Sequence, residues 1–138
     1  MVSGSGASGA QAFDGHTRGQ VTHEQRPECV ELGGGQLGRM LVHAAQSMGF
    51  RTVVLDPDAQ SPAGHAADRL LCAAYDDPAA ASELAAACAS VTTEFENVPA
   101  AVLQDLSGRC TVAPAAAAVR ICQHRALEKA HFVRSGVP

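Results

Sequence analysis

Two short stretches of this chain hold the residue types that could handle a polar ligand. Gly33, Gly35 and Gly38 satisfy the spacing G-x-G-x-x-G directly after a short apolar run. In that spacing the first glycine allows a tight turn, and the second lets a ligand approach the backbone. The third lets a helix pack closely on its strand. A helix opening there presents free N–H groups, which favour an anionic or strongly polar ligand. The second stretch is Thr92-Thr93-Glu94-Phe95-Glu96-Asn97-Val98-Pro99. Glu94 and Glu96 could accept hydrogen bonds from ribose hydroxyls or an amine, or simply favour the start of the helix that follows. Further on, Arg125 and Lys129 form a like-charge i,i+4 pair beside Glu128. A solvated helix face avoids such a pair, and an anion would relieve it. His43 and His65 are isolated and read as surface or core histidines, so no metal site is expected.

Strands and helices that alternate must position these groups. Cys29 to Leu32 reads as the first strand, and Leu37, Met40, Leu41, Ala44, Ala45 and Met48 recur at helical spacing as one apolar face. Thr52 to Asp56 is a second strand ending in an acid. A short helix over 63–67 follows, then a third strand over 69–74. Asp77 before Pro78 is an N-cap for a helix over 79–89. Ser90 to Glu94 is the fourth strand, and Pro99 opens a helix carrying Val102, Leu103 and Leu106. Cys110 to Ala113 is the fifth, followed by a helix over 115–123 and another that stops at Gly136. The pattern predicts an α/β fold, a doubly wound parallel sheet whose strand carboxyl ends share one rim. Glu31 is the anomaly. A central parallel strand is covered on both faces, so a carboxylate there needs a partner or a proton. If Glu31 is unpaired, Glu31→Val is expected to stabilise the fold.

Composition narrows the function classes. The 138 residues carry a formal net charge of −4, with 10 Lys plus Arg and no basic cluster, which argues against a nucleic-acid partner. No apolar run approaches the ~20 residues of a membrane span. The five cysteines are widely spaced and never C-x-x-C, as expected of small core residues in a reducing, cytoplasmic compartment. Residues 1–27 hold five glycines and three serines without apolar periodicity and read as a flexible tail. A transit peptide is the competing reading, against which stand Asp14 and Glu24.

Several runs occur together in order: Gly-Gly-Gly-Gln-Leu-Gly-Arg-Met at 33–40, Val-Leu-Asp-Pro at 54–57, Tyr-Asp-Asp at 75–77, Thr-Glu-Phe-Glu-Asn-Val-Pro at 93–99 and Gln-x-Arg-x-x-Glu-Lys at 123–129. In this the chain resembles the 5-(carboxyamino)imidazole ribonucleotide synthetases, ATP-grasp ligases of purine biosynthesis. The resemblance covers about residues 29 to 138. It implies a Rossmann-like pre-ATP-grasp domain over 28–118, with the first helices of a truncated ATP-grasp domain over 119–138. The implied reaction carboxylates aminoimidazole ribonucleotide with bicarbonate through carboxyphosphate, using ATP and Mg2+. By position, Gly35, Gln36 and Leu37 would lie against the ribonucleotide and Glu94 and Glu96 would reach its polar groups. Arg125 would contact ATP. A homodimer and a fused mutase domain also occur within what the resemblance implies. Glu31, His124 and Ala115 to Ala118 depart from the pattern, and a fragment of this length is expected not to turn over alone.

Three other readings compete. An NAD-binding Rossmann domain would use the same glycines and place Asp56 on the adenosine ribose. Pro57 directly after the acid and the Glu-Phe-Glu-Asn-Val-Pro run argue against it. The related formate-dependent glycinamide ribonucleotide transformylases share the architecture but usually carry Glu where Gln36 stands. A non-catalytic remnant that folds or docks on a partner would accommodate Glu31.

Overall fold

The computed structural model describes residues 28–137, so the expected tail over 1–27 lies outside the described residues. Five strands form one parallel sheet: β1 (Glu28–Leu32), β2 (Arg51–Asp56), β3 (Arg69–Cys72), β4 (Ser90–Thr92) and β5 (Thr111–Ala113). Six helices connect and follow them: α1 (Gln36–Ser47), α2 (Pro62–Ala66), α3 (Pro78–Ala87), α4 (Ala100–Ser107), α5 (Ala116–Cys122) and α6 (Arg125–Arg134). The strand order β3-β2-β1-β4-β5 makes this the expected doubly wound sheet. The chain winds outward from β1 through β2 to β3, then crosses back to add β4 on the other side. The carboxyl ends of β1 and β4 therefore flank the point where the winding reverses, which is where such sheets bind ligands.

Two cores cover the two faces. The larger joins Val30, Leu32, Val53, Leu55 and Val91 of the sheet to Leu84 of α3, Leu103 and Leu106 of α4 and Val119 of α5. The smaller places Val42 of α1 and Ala63 of α2 on Val54. At the start of α3 the Asp77 carboxylate accepts the Ala80 N–H at 2.8 Å, the predicted cap.

The apolar face predicted for α1 is not its buried face. Leu37, Met40 and Met48 are 60%, 67% and 72% exposed; of the predicted face only Ala45 is buried, together with Gly38 and Val42. The cause lies at Gly38. A methyl group there would overlap the Gly33 carbonyl oxygen, so the helix meets the strand through its smallest residue. That close approach rotates the larger side chains outward. The cysteines divide likewise: Cys88 is buried and Cys29 and Cys110 partly so, but Cys72 and Cys122 are exposed rather than core residues.

Candidate functional site

The turn after β1 is built around Gly33, whose φ of +134° is open to glycine and strained for other residues. Its N–H continues the ladder to the Leu55 carbonyl at 3.2 Å. Gly34 then donates its N–H to Asp56 Oδ2 at 2.7 Å, and the Tyr75 hydroxyl donates to the same oxygen at 2.7 Å. Asp56 Oδ1 accepts the Asp58 N–H at 2.8 Å. One largely buried carboxylate thus ties the glycine turn, the end of β2 and the segment after β3. The Asp56 carboxylate is directed at this backbone, which is not the arrangement an adenosine ribose would need. Burial, followed by the bond to Asp56, pushes the Tyr75 hydroxyl above its ordinary range.

The acidic loop after β4 is anchored just as closely. The Thr93 hydroxyl donates to the Leu32 carbonyl at 2.8 Å, joining the ends of β4 and β1. Phe95 stacks edge-on against Tyr75 with ring centroids 5.9 Å apart. From the far side, Gln123 Nε2 donates to the carbonyls of Glu96 and Val98 at 2.6 and 2.7 Å. Gln123→Ala is expected to cost about 1–2 kcal/mol for two lost bonds. It should also speed hydrogen exchange over 94–98. Unchanged exchange there would mean that the loop holds its shape without α5.

Glu94 meets the glycine turn. Its Oε1 lies 3.5 and 3.8 Å from where a Cβ would project at Gly33 and Gly35. Gly33, Gly34, Gly35, Asp56, Tyr75, Glu94 and Phe95 together line a cavity of about 150 Å³. That is smaller than an ordinary small-molecule pocket of roughly 300–1,000 Å³, so it suits one polar portion of a ligand. Next to it, Glu94, Glu96, Phe95, Pro114, Val119 and Cys122 border a second, more apolar hollow of about 200 Å³.

The predicted residues fall in three places. Gly35 and Glu94 share the glycine cavity, while Gln36 and Leu37 follow as exposed residues in the first turn of α1. Glu96 is exposed and borders only the second hollow. Arg125 sits apart on α6, where its guanidinium is paired with Glu128 at 2.7 Å. Arg125 and Lys129 line one cavity with Phe132 and Val133, so the like-charge pair does share a space. Sequence reasoning missed Gly34, Tyr75 and Phe95 as cavity walls. Tyr75 and Phe95 were visible only as members of their motifs.

Glu31 lies beneath this junction. It is 1% exposed, and its Oε1 accepts the Glu94 N–H at 3.3 Å. Its Oε2 has no hydrogen-bond partner among the described residues. Burial first, and then the negative charge of Glu94, push the Glu31 carboxyl up to about 8 against the lowering effect of the Glu94 N–H. Glu31 therefore has a partner for one oxygen and a carboxyl pushed toward its neutral form, so it is not the unpaired residue for which Glu31→Val is expected to stabilise the fold.

The model of the ribonucleotide synthetase pre-ATP-grasp domain matches residues 30–123. This chain belongs to that family. The chain is 48% identical over 106 residues to the N5-carboxyaminoimidazole ribonucleotide synthase of Brucella melitensis. That alignment covers 77% of this chain and 29% of the relative, so the chain spans under a third of the relative's length. Among solved structures it is similar to the N5-carboxyaminoimidazole ribonucleotide synthetase of Thermus thermophilus, at TM-score 0.76 and 40% identity, covering 80% of this chain and 30% of that one. It is also similar to the N5-carboxyaminoimidazole synthase of Aspergillus clavatus, solved in complex with ADP and 5-aminoimidazole ribonucleotide. There the TM-score is 0.73 at 33% identity, over 82% and 30% of the two chains.

Proposed function

We propose that the glycine-lined cavity holds part of aminoimidazole ribonucleotide, and that this domain is the substrate-presenting portion of an N5-carboxyaminoimidazole ribonucleotide synthase. The observation that carries this reading is the position of Glu94, whose carboxylate oxygen faces Gly33 and Gly35 across the reversal point of the sheet. A carboxylate there accepts hydrogen bonds from ribose hydroxyls or the substrate amine. Gln36 and Leu37 offer backbone N–H groups from the first turn of α1, which suit phosphate. Gly35 has room for a ligand to reach its backbone, and Glu96 extends the acidic rim toward the second hollow. The Aspergillus clavatus relative, solved with the same ribonucleotide, supports the choice of ligand.

In the whole enzyme, ATP with magnesium supplies the phosphoryl group that activates bicarbonate. Among the described residues no group of three His, Cys, Asp or Glu side chains converges to hold a metal ion. By likeness to the ATP-grasp ligases, the magnesium and most of the nucleotide are assigned to an ATP-grasp domain, with Arg125 as the contribution from α6. These 138 residues alone are expected to consume no bicarbonate with ATP, and measured consumption would contradict that assignment.

Titration of the chain with aminoimidazole ribonucleotide, followed by hydrogen exchange, tests the ligand. Protection is expected over 33–38 and 93–95, and none from NAD. Protection by NAD alone would return the domain to the dinucleotide binders.

A further inference from the structure

His43 and His65, isolated in the sequence, meet at one cavity in the fold. It lies between α1 and α2, has a volume of about 410 Å³ and is lined by Arg39, His43, Pro62, His65 and Ala66. None of these residues borders the glycine-lined cavity. Every ionisable side chain lining it is a base, and neither α1 nor α2 contains an Asp or Glu. The chain as a whole has the opposite balance, with 14 Asp plus Glu against 10 Lys plus Arg.

Arg39 is the centre of this cluster. The guanidiniums of Arg51, Arg69, Arg109 and Arg125 each pair with a carboxylate, whereas Arg39 pairs with none among the described residues. Its Nε donates to His43 Nε2 at 3.4 Å, which places the proton of a neutral His43 on Nδ1 and leaves both terminal nitrogens of Arg39 uncommitted. The walls are set by contacts outside the cluster. Gln46 Nε2 on α1 donates to the Ala66 carbonyl at 2.9 Å, and the Ala63 N–H of α2 donates to the Gly34 carbonyl at 2.8 Å. The two helices are thus held at a fixed spacing without any ligand, which lowers the cost of binding one.

We propose that this cavity is a second ligand site, which binds a phosphomonoester through its phosphoryl group. The uncommitted end of Arg39 offers two parallel N–H donors that match two phosphoryl oxygens. His43 and His65 add two imidazoles, each able to donate a hydrogen bond or to take up a proton beside a dianion. A metal ion fits less well, because Arg39 would repel it and no three ligating side chains converge among the described residues. The volume falls within the roughly 300–1,000 Å³ of small-molecule sites, so the esterified group has space against the apolar surface of Pro62 and Ala66.

The test is a titration of the full 138-residue chain at neutral pH and constant ionic strength, with the His43 and His65 ring signals followed by NMR. The probes are glycerol 3-phosphate, inorganic phosphate, glycerol and sodium chloride. Glycerol 3-phosphate is expected to shift both histidines saturably with a Kd of about 1 mM or tighter. Inorganic phosphate should bind more weakly, glycerol and chloride should not saturate, and the Glu94 and Phe95 amides should stay still. Arg39→Gln should weaken the ester about tenfold or more, and Arg39→Lys, which keeps the charge but loses the fork, should weaken it less. Arg39, His43 and His65 are all exposed, so their replacement leaves the fold intact. Histidine shifts that chloride reproduces would overturn the proposal. So would an Arg39→Gln variant with wild-type affinity, or inorganic phosphate binding more tightly than the ester.

Discussion

Gly38→Ala is expected to destabilise this domain by about 2–4 kcal/mol, a sign opposite to that of most glycine-to-alanine changes within helices. At an exposed helical position alanine gains up to about 1 kcal/mol over glycine from backbone entropy and propensity. Here the added methyl would overlap the carbonyl oxygen of Gly33, a backbone atom in the turn that carries the site. It would also crowd Glu31 Cγ at 3.3 Å and the Ala63 Cβ at 3.4 Å. Overpacking of this kind costs roughly 1–3 kcal/mol, and more where backbone must move. The steric cost therefore exceeds the propensity gain. Urea denaturation beside Gly108→Ala provides the comparison, because the space at Gly108 meets only a backbone oxygen at 3.5 Å. A stabilised Gly38→Ala would mean that α1 stands off β1 in solution.

Asp56→Ala is the second large effect, at about 3–5 kcal/mol. Its carboxylate accepts from the Gly34 N–H, the Tyr75 hydroxyl and the Asp58 N–H at 2.7, 2.7 and 2.8 Å. Hydrogen bonds to a charged acceptor contribute roughly 1.5–3 kcal/mol each, and removing the acceptor leaves buried donors unsatisfied. The three are coupled through one group, so the loss is less than their sum. Loss of the carboxylate also frees the glycine turn from Tyr75, and ligand protection over 33–38 should weaken in step with stability. A change within about 0.5 kcal/mol by chemical denaturation, the ordinary range for a surface substitution, would refute this role.

Much of this architecture is local and so was legible in the sequence. Alternation of short apolar runs with helical stretches gave the parallel sheet, and Asp77-Pro78 placed the start of α3 because capping involves only neighbouring residues. The glycine spacing named the turn. The positions of Gly33 and Gly38 follow from backbone geometry and close approach, both of which a spacing encodes. The meeting of the two rims was also inferable, since strand ends of one parallel sheet share an edge.

Side-chain direction was not legible. Periodicity marked Leu37, Met40 and Met48 as the inward face of α1, yet a contact between Gly38 and Gly33 turned them outward. The strength of an apolar stripe says which residues gain from burial, but the closest backbone approach decides which ones are buried. Asp56 could equally have pointed at a ribose, and only tertiary structure aims it at Gly34 and Tyr75. Glu31 marks the same boundary. Its residue type in a central strand required a partner or a proton. Which it received depended on a loop 63 residues away, because burial and neighbouring charge are properties of the packed molecule.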